Sequence, residues 1–301
     1  ANWSDIYEQV ARFLAKAEPA PNLSREMESR FHLDRVAQCV EEQYRSAIAR
    51  RRHPAHIPVL MYHKVVEKPL DSKHRTFVTT DTFERHLAYF RDRGLTPINF
   101  QEYHAFRSGR RPWSEFPEKP IFLTFDDAYR DNLENAVPLL SRFGFTATIF
   151  ALGDANARTN FWDVAEGERE EALMSVDELR YVQGMGFEIG AHSLSHRHLT
   201  RLDDEEARRE ILHSRQNLES ILGRSVISFA YPYGSWDQRI RSFSEEAGYV
   251  FSVCTDTGGL HLEDDPLAIF RVAIFPEDGQ AQLRKKTSTW YRRYYRLKRG
   301  K

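Results

Sequence analysis

Two rhythms of apolar and polar residues divide this chain. In FHLDRVAQCVEEQYRSAIARRR, Leu33, Val36, Val40, Tyr44 and Ala47 recur at helical spacing and form one apolar stripe. The loop EPAPNLS precedes this helix, and the basic, Pro-containing RRRHPAH (Arg50 to His56) follows it as a domain boundary. From Ile57 onward, short apolar runs alternate with amphipathic helices. The runs IPVLMYH, IFLTF, FTATIFA, FEIGA, VISFA, YVFSVC and IFRVAI read as strands. Between them, Asp81 and Glu84 suggest a capping box ahead of Phe83, Leu87 and Phe90, with Gly94 as the stop. Ser175 and Glu178 suggest another before Leu179 and Val182, and a long helix from Asp203 to Leu222 ends at Gly223.

Strand and helix alternating in this way predict an α/β fold with a largely parallel sheet. About seven units favour a deformed (β/α) barrel over an open sheet, with an N-terminal helical extension. The expected organisation is a helical segment over 1–52, a barrel domain over 53–282 and a tail over 283–301. In such barrels chemistry sits at the carboxyl ends of strands.

Composition narrows the class. Of 301 residues, 41% are hydrophobic and 29% charged, which suits a globular chain with one sizeable core. No run of apolar residues is long enough to span a bilayer, and ANWSDIYEQV carries neither the basic cluster nor the apolar run of a secretory signal. Cys39 and Cys254 are far apart, imply no disulfide framework and fit a reducing compartment. The net charge of −1 hides an asymmetry: LRKKTSTWYRRYYRLKRGK, residues 283–301, holds nine Lys or Arg and no acid, leaving −10 on the remainder.

Two stretches carry candidate chemistry. IFLTFDDAYRDN runs a strand into Asp126 and Asp127. Adjacent carboxylates repel unless something positive holds them, so the pair is either a cap with a solvated acid or part of a metal site. GFEIGAHSLSHRHLT places His192 and His196 four apart just after a strand, where one helical turn would align both imidazoles. Two His and a carboxylate are a common ligand set for a catalytic Zn²⁺. His198 falls out of that register and reads as solvated or capping.

TFDDAYRDNLENAVPLLSRFGFTATIF, HSLSH and FAYPYG together resemble three motifs of the polysaccharide deacetylases, the carbohydrate esterase family 4 proteins with a NodB homology domain, over roughly residues 57–280. The resemblance implies that Asp127, His192 and His196 bind the metal, Zn²⁺ with Co²⁺ or Ni²⁺ as alternatives, and that Asp126 is the general base. It implies that the backbone N–H of Tyr233 helps stabilise the oxyanion. The family's late catalytic His is absent from IFRVAIFPEDG, whereas VLMYHKV ends a first strand at His63. That arrangement resembles the circularly permuted branch, which includes enzymes acting on poly-N-acetylglucosamine, and it implies His63 as general acid. The implied substrate is an N-acetylated oligosaccharide or polysaccharide. Competing readings are an O-acetyl esterase, a silent sugar-binding module and a scaffold.

Several positions depart from the family pattern. Ala230 stands where the third motif often has an Arg engaging the base, which leaves the tuning of Asp126 open, and Ala128 replaces the usual Gly after the acid pair. Asp256 either orients a polar group such as His63 or serves a turn. Tyr231, Trp236 and Trp162 either stack on sugar rings, with Tyr231 and Trp236 favoured as substrate contacts, or fill the core.

The two ends suggest a context. NLSREMESRFHLDRVAQCVEEQYRSAI resembles the final helices of family 4 glycosyltransferases, which implies a fused transferase domain and a cytoplasmic position peripheral to the membrane. The basic, aromatic tail reads either as a membrane-surface segment or as a solvated one. The acidic remainder argues against nucleic acid as a partner.

Overall fold

The computed structural model describes residues 56–255 and 261–298. The helical segment expected over 1–52 and the expectation for Asp256 fall outside them. In chain order the strands are β1 (Val59–Tyr62), β2 (Lys64–Val66), β3 (Phe77–Thr79), β4 (Thr96–Ile98), β5 (Pro120–Phe125) and β6 (Thr148–Ala151). They continue with β7 (Glu188–Ala191), β8 (Ser228–Ala230), β9 (Phe251–Cys254), β10 (Ile269–Phe270) and β11 (Val272–Ala273).

All seven apolar runs form strands. The main sheet runs β10-β9-β8-β7-β6-β5-β1-β11, every pair parallel. Only Arg271 separates β10 from β11, so the stretch 269–273 pairs with β9 on one side and β1 on the other. That double pairing bends the sheet into a nearly closed barrel. Every residue of β5 is buried, as expected for a parallel strand covered on both faces. Each buried Leu or Phe there contributes about 1.5–3 kcal/mol relative to exposure.

Register carries the site residues together. Tyr62 pairs with Phe125, and the Asp126 N–H donates to the Tyr62 carbonyl at 3.1 Å, so His63 and Asp126 follow adjacent strand ends. Ala151 pairs with Ala191, and the His192 N–H donates to the Ala151 carbonyl at 2.8 Å, which ends β7 at the first motif histidine.

The helices follow their caps, with one correction. The helix predicted from Asp81 spans Thr80–Asp92 and is capped by Thr79, whose hydroxyl accepts from the Thr82 N–H, and not by an Asp81/Glu84 box. A threonine ending β3 already offers a capping oxygen, so the helix starts earlier. The Ser175/Glu178 box caps Val176–Gly184 as expected, and Asp203 caps Asp204–Leu222, with Gly223 left-handed at φ +63°. The basic segment starting at Leu283 begins inside the helix Gln280–Lys286, where Leu283 is fully buried, and continues as the helix Thr289–Lys298.

Candidate active site

At the carboxyl ends of β1, β5 and β7 a cavity of about 520 Å³ opens, lined among others by His63, Asp126, Asp127, His192, His196 and Tyr233. The proposed metal ligands, base, acid and oxyanion donor therefore all line one cavity. The backbone is contorted to bring them there. Asp127 (φ +71°), Ala128 (+53°), Ser193 (+60°), His196 (+60°) and Tyr233 (+59°) all adopt the left-handed conformation. Each such non-glycine residue costs of order 1–3 kcal/mol, strain that surrounding structure must hold. Ala128 thus keeps the backbone shape for which glycine is the easy residue. Gly234 (φ +63°) is required twice over, because a Cβ there would overlap Thr255.

Asp127, His192 and His196 are buried and converge. Asp127 Oδ1 lies 3.5 Å from His192 Nε2 and 3.4 Å from His196 Nε2. Donors bonded at about 2 Å around a tetrahedral ion stand about that far apart. Asp127 Oδ1 has no hydrogen-bond partner among the described residues, which is costly for a buried carboxylate oxygen unless a ligand satisfies it. His192 Nδ1 faces the Ala230 carbonyl at 2.7 Å. A carbonyl only accepts, so Nδ1 carries the proton and Nε2 presents its lone pair. Burial lowers the pKa of both histidines, keeping them neutral and able to ligate. Burial, with Asp126 and Asp163 nearby, pushes the Asp127 carboxyl well above its ordinary range, a penalty that a cation would remove. The donor set fits a divalent metal such as zinc.

The loop holding the two histidines is braced from outside the cavity. Ser193 Oγ accepts from the His196 N–H at 2.9 Å. Buried Glu210, on the helix Asp204–Leu222, accepts from the Ser195 N–H at 2.9 Å and from its hydroxyl at 2.5 Å. The His196 ring stacks on Trp162 with centroids 4.2 Å apart.

Asp126 is held quite differently from its neighbour. Arg271, itself 1% exposed, donates from Nη1 to Oδ1 and from Nη2 to Oδ2, both at 2.6 Å. Burial alone would raise this carboxyl, but Arg271, with His192 and His63, outweighs it and holds the carboxyl well below the usual range. The arginine missing at Ala230 is therefore supplied by the strand run that closes the barrel. His63 Nε2 stands 3.9 Å from Asp126 Oδ2, and its side chain remains 17% exposed. Burial pulls its pKa down to about 4, against the opposing pull of Asp126.

Three expectations need revision. Tyr231 is fully buried and donates its hydroxyl to the Leu267 carbonyl at 2.8 Å, so it belongs to the core and not to a substrate contact. Trp236 is partly buried, packs against the hydrophobic core and does not line the cavity. The aromatic lining comes instead from Trp162 and from Tyr233, whose side chain is 41% exposed. His198 also lines the cavity, its ring stacked on Tyr233 at 3.5 Å, and is neither freely solvated nor capping by its side chain.

Comparison with known proteins agrees with this geometry. Residues 114–252 match the family model for polysaccharide deacetylase. The Bacillus subtilis (strain 168) protein YxkH, named for polysaccharide deacetylation, is 25% identical over 236 residues, covering 78% of this chain and 77% of that protein. The poly-beta-1,6-N-acetyl-D-glucosamine N-deacetylase of Escherichia coli (strain K12) is 27% identical over 94 residues, 31% of this chain and 13% of the relative. The crystal structure of BC0361, a polysaccharide deacetylase from Bacillus cereus, superposes with a TM-score of 0.61 at 25% identity, covering 77% of this chain and 69% of that one.

Proposed function

We propose that the polysaccharide deacetylase domain of this chain is a metal-dependent de-N-acetylase, acting on an N-acetylated amino sugar of a surface glycan or its lipid-linked precursor. The observation that carries the reading is the pair of adjacent acids in opposite states. Asp126 is clamped ionised by Arg271, and Asp127 presents an unsatisfied oxygen to two neutral imidazoles. A divalent cation held by Asp127, His192 and His196, zinc by the donor set, would supply Lewis acidity toward the acetyl carbonyl and the attacking water.

The chain's own groups then divide the proton work. Asp126, ionised at rest, accepts a proton from the attacking water. The Tyr233 N–H donates to the developing oxyanion. His63 is neutral at rest, so it acts as acid only after gaining a proton; Asp126, 3.9 Å away, is the source. His63 Nε2 then protonates the departing nitrogen as the C–N bond breaks, leaving acetate and a free amine.

The finer context follows from sequence. The glycosyltransferase-like segment and the basic tail support a cytoplasmic site of action at the membrane, on a glycan that an upstream transferase domain, were one fused, would extend. The poly-N-acetylglucosamine enzyme among the relatives supports an N-acetylated hexosamine as substrate.

The test is product analysis with N-acetylglucosamine oligomers and, in parallel, an O-acetylated polysaccharide. The expected result is acetate with a matching number of new free amines from the N-acetylated substrate. Release from the O-acetyl ester alone, or from neither, would overturn the reading.

A further inference from the structure

No described side chain of the helix Thr289–Lys298 lines the cavity, yet its exposed surface is patterned. Trp290, Tyr294 and Leu297 are 57%, 37% and 83% exposed. Their spacing of four and three puts them on one face of the helix, and the Trp290 and Tyr294 rings stack at 5.3 Å. Two aromatics and the most exposed large apolar residue described form a contiguous apolar stripe, the kind of exposed patch that marks an interaction surface.

Charge identifies what the stripe would meet. Residues 283–301 hold nine Lys or Arg and no acid, while the rest of the chain carries −10. A negatively charged surface therefore attracts this segment and repels the remainder. Aromatics bridge polar headgroups and apolar chains, and an exposed leucine suits hydrocarbon and not a phosphodiester backbone. The helix is also tethered to the barrel. Leu283, on the preceding helix, is buried in the core, and Lys286 pairs with Asp278 and donates to the carbonyl of Ala273 in β11 at 2.8 Å.

We propose that helix 289–298 docks the protein on an anionic lipid surface, with Trp290, Tyr294 and Leu297 entering the interface and the basic residues of the segment meeting the headgroups. This site stands independently of the deacetylase reading. Each basic residue held at an anionic surface raises binding about fivefold, and the effect weakens with salt.

Co-sedimentation of the full chain with phosphatidylglycerol/phosphatidylcholine vesicles and with phosphatidylcholine vesicles alone tests it. The expected result is binding to the anionic vesicles only, lost as salt rises. W290S/L297S, at exposed positions, should lower partitioning about tenfold without changing acetate release from a soluble oligomer. R292E/R293E should lower it further. Undiminished binding by W290S/L297S, or equal binding to both vesicle types, would overturn the proposal. So would tighter binding to duplex DNA than to anionic vesicles at the same ionic strength.

Discussion

Both ends of the barrel bury a carboxylate, and the protein treats the two in opposite ways. At the amino end, Glu188 opens β7 and is 2% exposed. Ser228 and Thr148 donate hydroxyls to it at 2.7 and 3.0 Å, and the Gln101 N–H donates at 3.1 Å. At the carboxyl end, Asp127 is about as deeply buried, yet its Oδ1 faces two imidazoles and finds no hydrogen-bond donor among the described residues. The backbone around Glu188 is regular strand, and that around Asp127 is strained. A buried charge wrapped in donors holds a structure together, whereas one left open beside lone pairs holds a ligand.

The contrast breaks most visibly where the open end is altered. His192→Ala should abolish metal binding, read by elemental analysis, and acetate release with it. Asp126→Asn should keep the metal and lower turnover about 10³-fold; near-normal turnover would remove Asp126 as base. His63→Ala should lower kcat about 10²-fold with little change in KM, and an unchanged kcat would take His63 out of the proton path.

Arg271→Met should act through Asp126. Without the guanidinium, only His192 and His63 are left to oppose burial, and the Asp126 pKa rises. Because the ionised form is the base, the acid limb of the rate–pH profile should move to higher pH. The unpaired buried carboxylate should also cost about 3–5 kcal/mol of stability, measurable by denaturant unfolding. A profile that stays in place would mean that Arg271 is only structural.

The smallest effect is expected at Glu188. Burial raises its pKa from 4.5 to about 7, despite the donors around it. A carboxyl whose folded pKa is raised favours folding when protonated, so its contribution falls as pH rises from 4.5 to about 7 and is level above that. Glu188→Gln should flatten the Tm–pH curve in this window by a few degrees while leaving metal content unchanged. An equally steep curve in the variant would assign the pH dependence elsewhere.

What could be read from sequence was local. Asp126, Asp127, His192 and His196 lie within short motifs, and His63 ends the first apolar run, VLMYH. The seven strands of the ring were legible because each is a dense apolar run. β4 was missed because Pro97 interrupts it; among the described residues the strand pairs with β5 alone, and a proline is tolerated at such an edge. Arg271 was missed because its partner lies 145 residues away. The signal was present in IFRVAI, where a lone arginine inside an apolar strand demands a buried counter-charge. Tyr231 was misread because an aromatic beside a motif looks the same whether it faces sugar or core. Glu210 carried no local mark, because its brace on Ser195 exists only once the helix packs under the histidine loop.

The most direct test asks whether the open carboxylate and its two imidazoles hold a metal on which acetate release depends. Zinc content and acetate release should be measured on the same samples, first chelator-stripped and then reloaded with Zn²⁺. Stripping should remove both, and about one Zn²⁺ per chain should restore both in the wild type and not in His192→Ala. Undiminished acetate release from metal-free protein, or full zinc uptake by His192→Ala, would contradict that assignment.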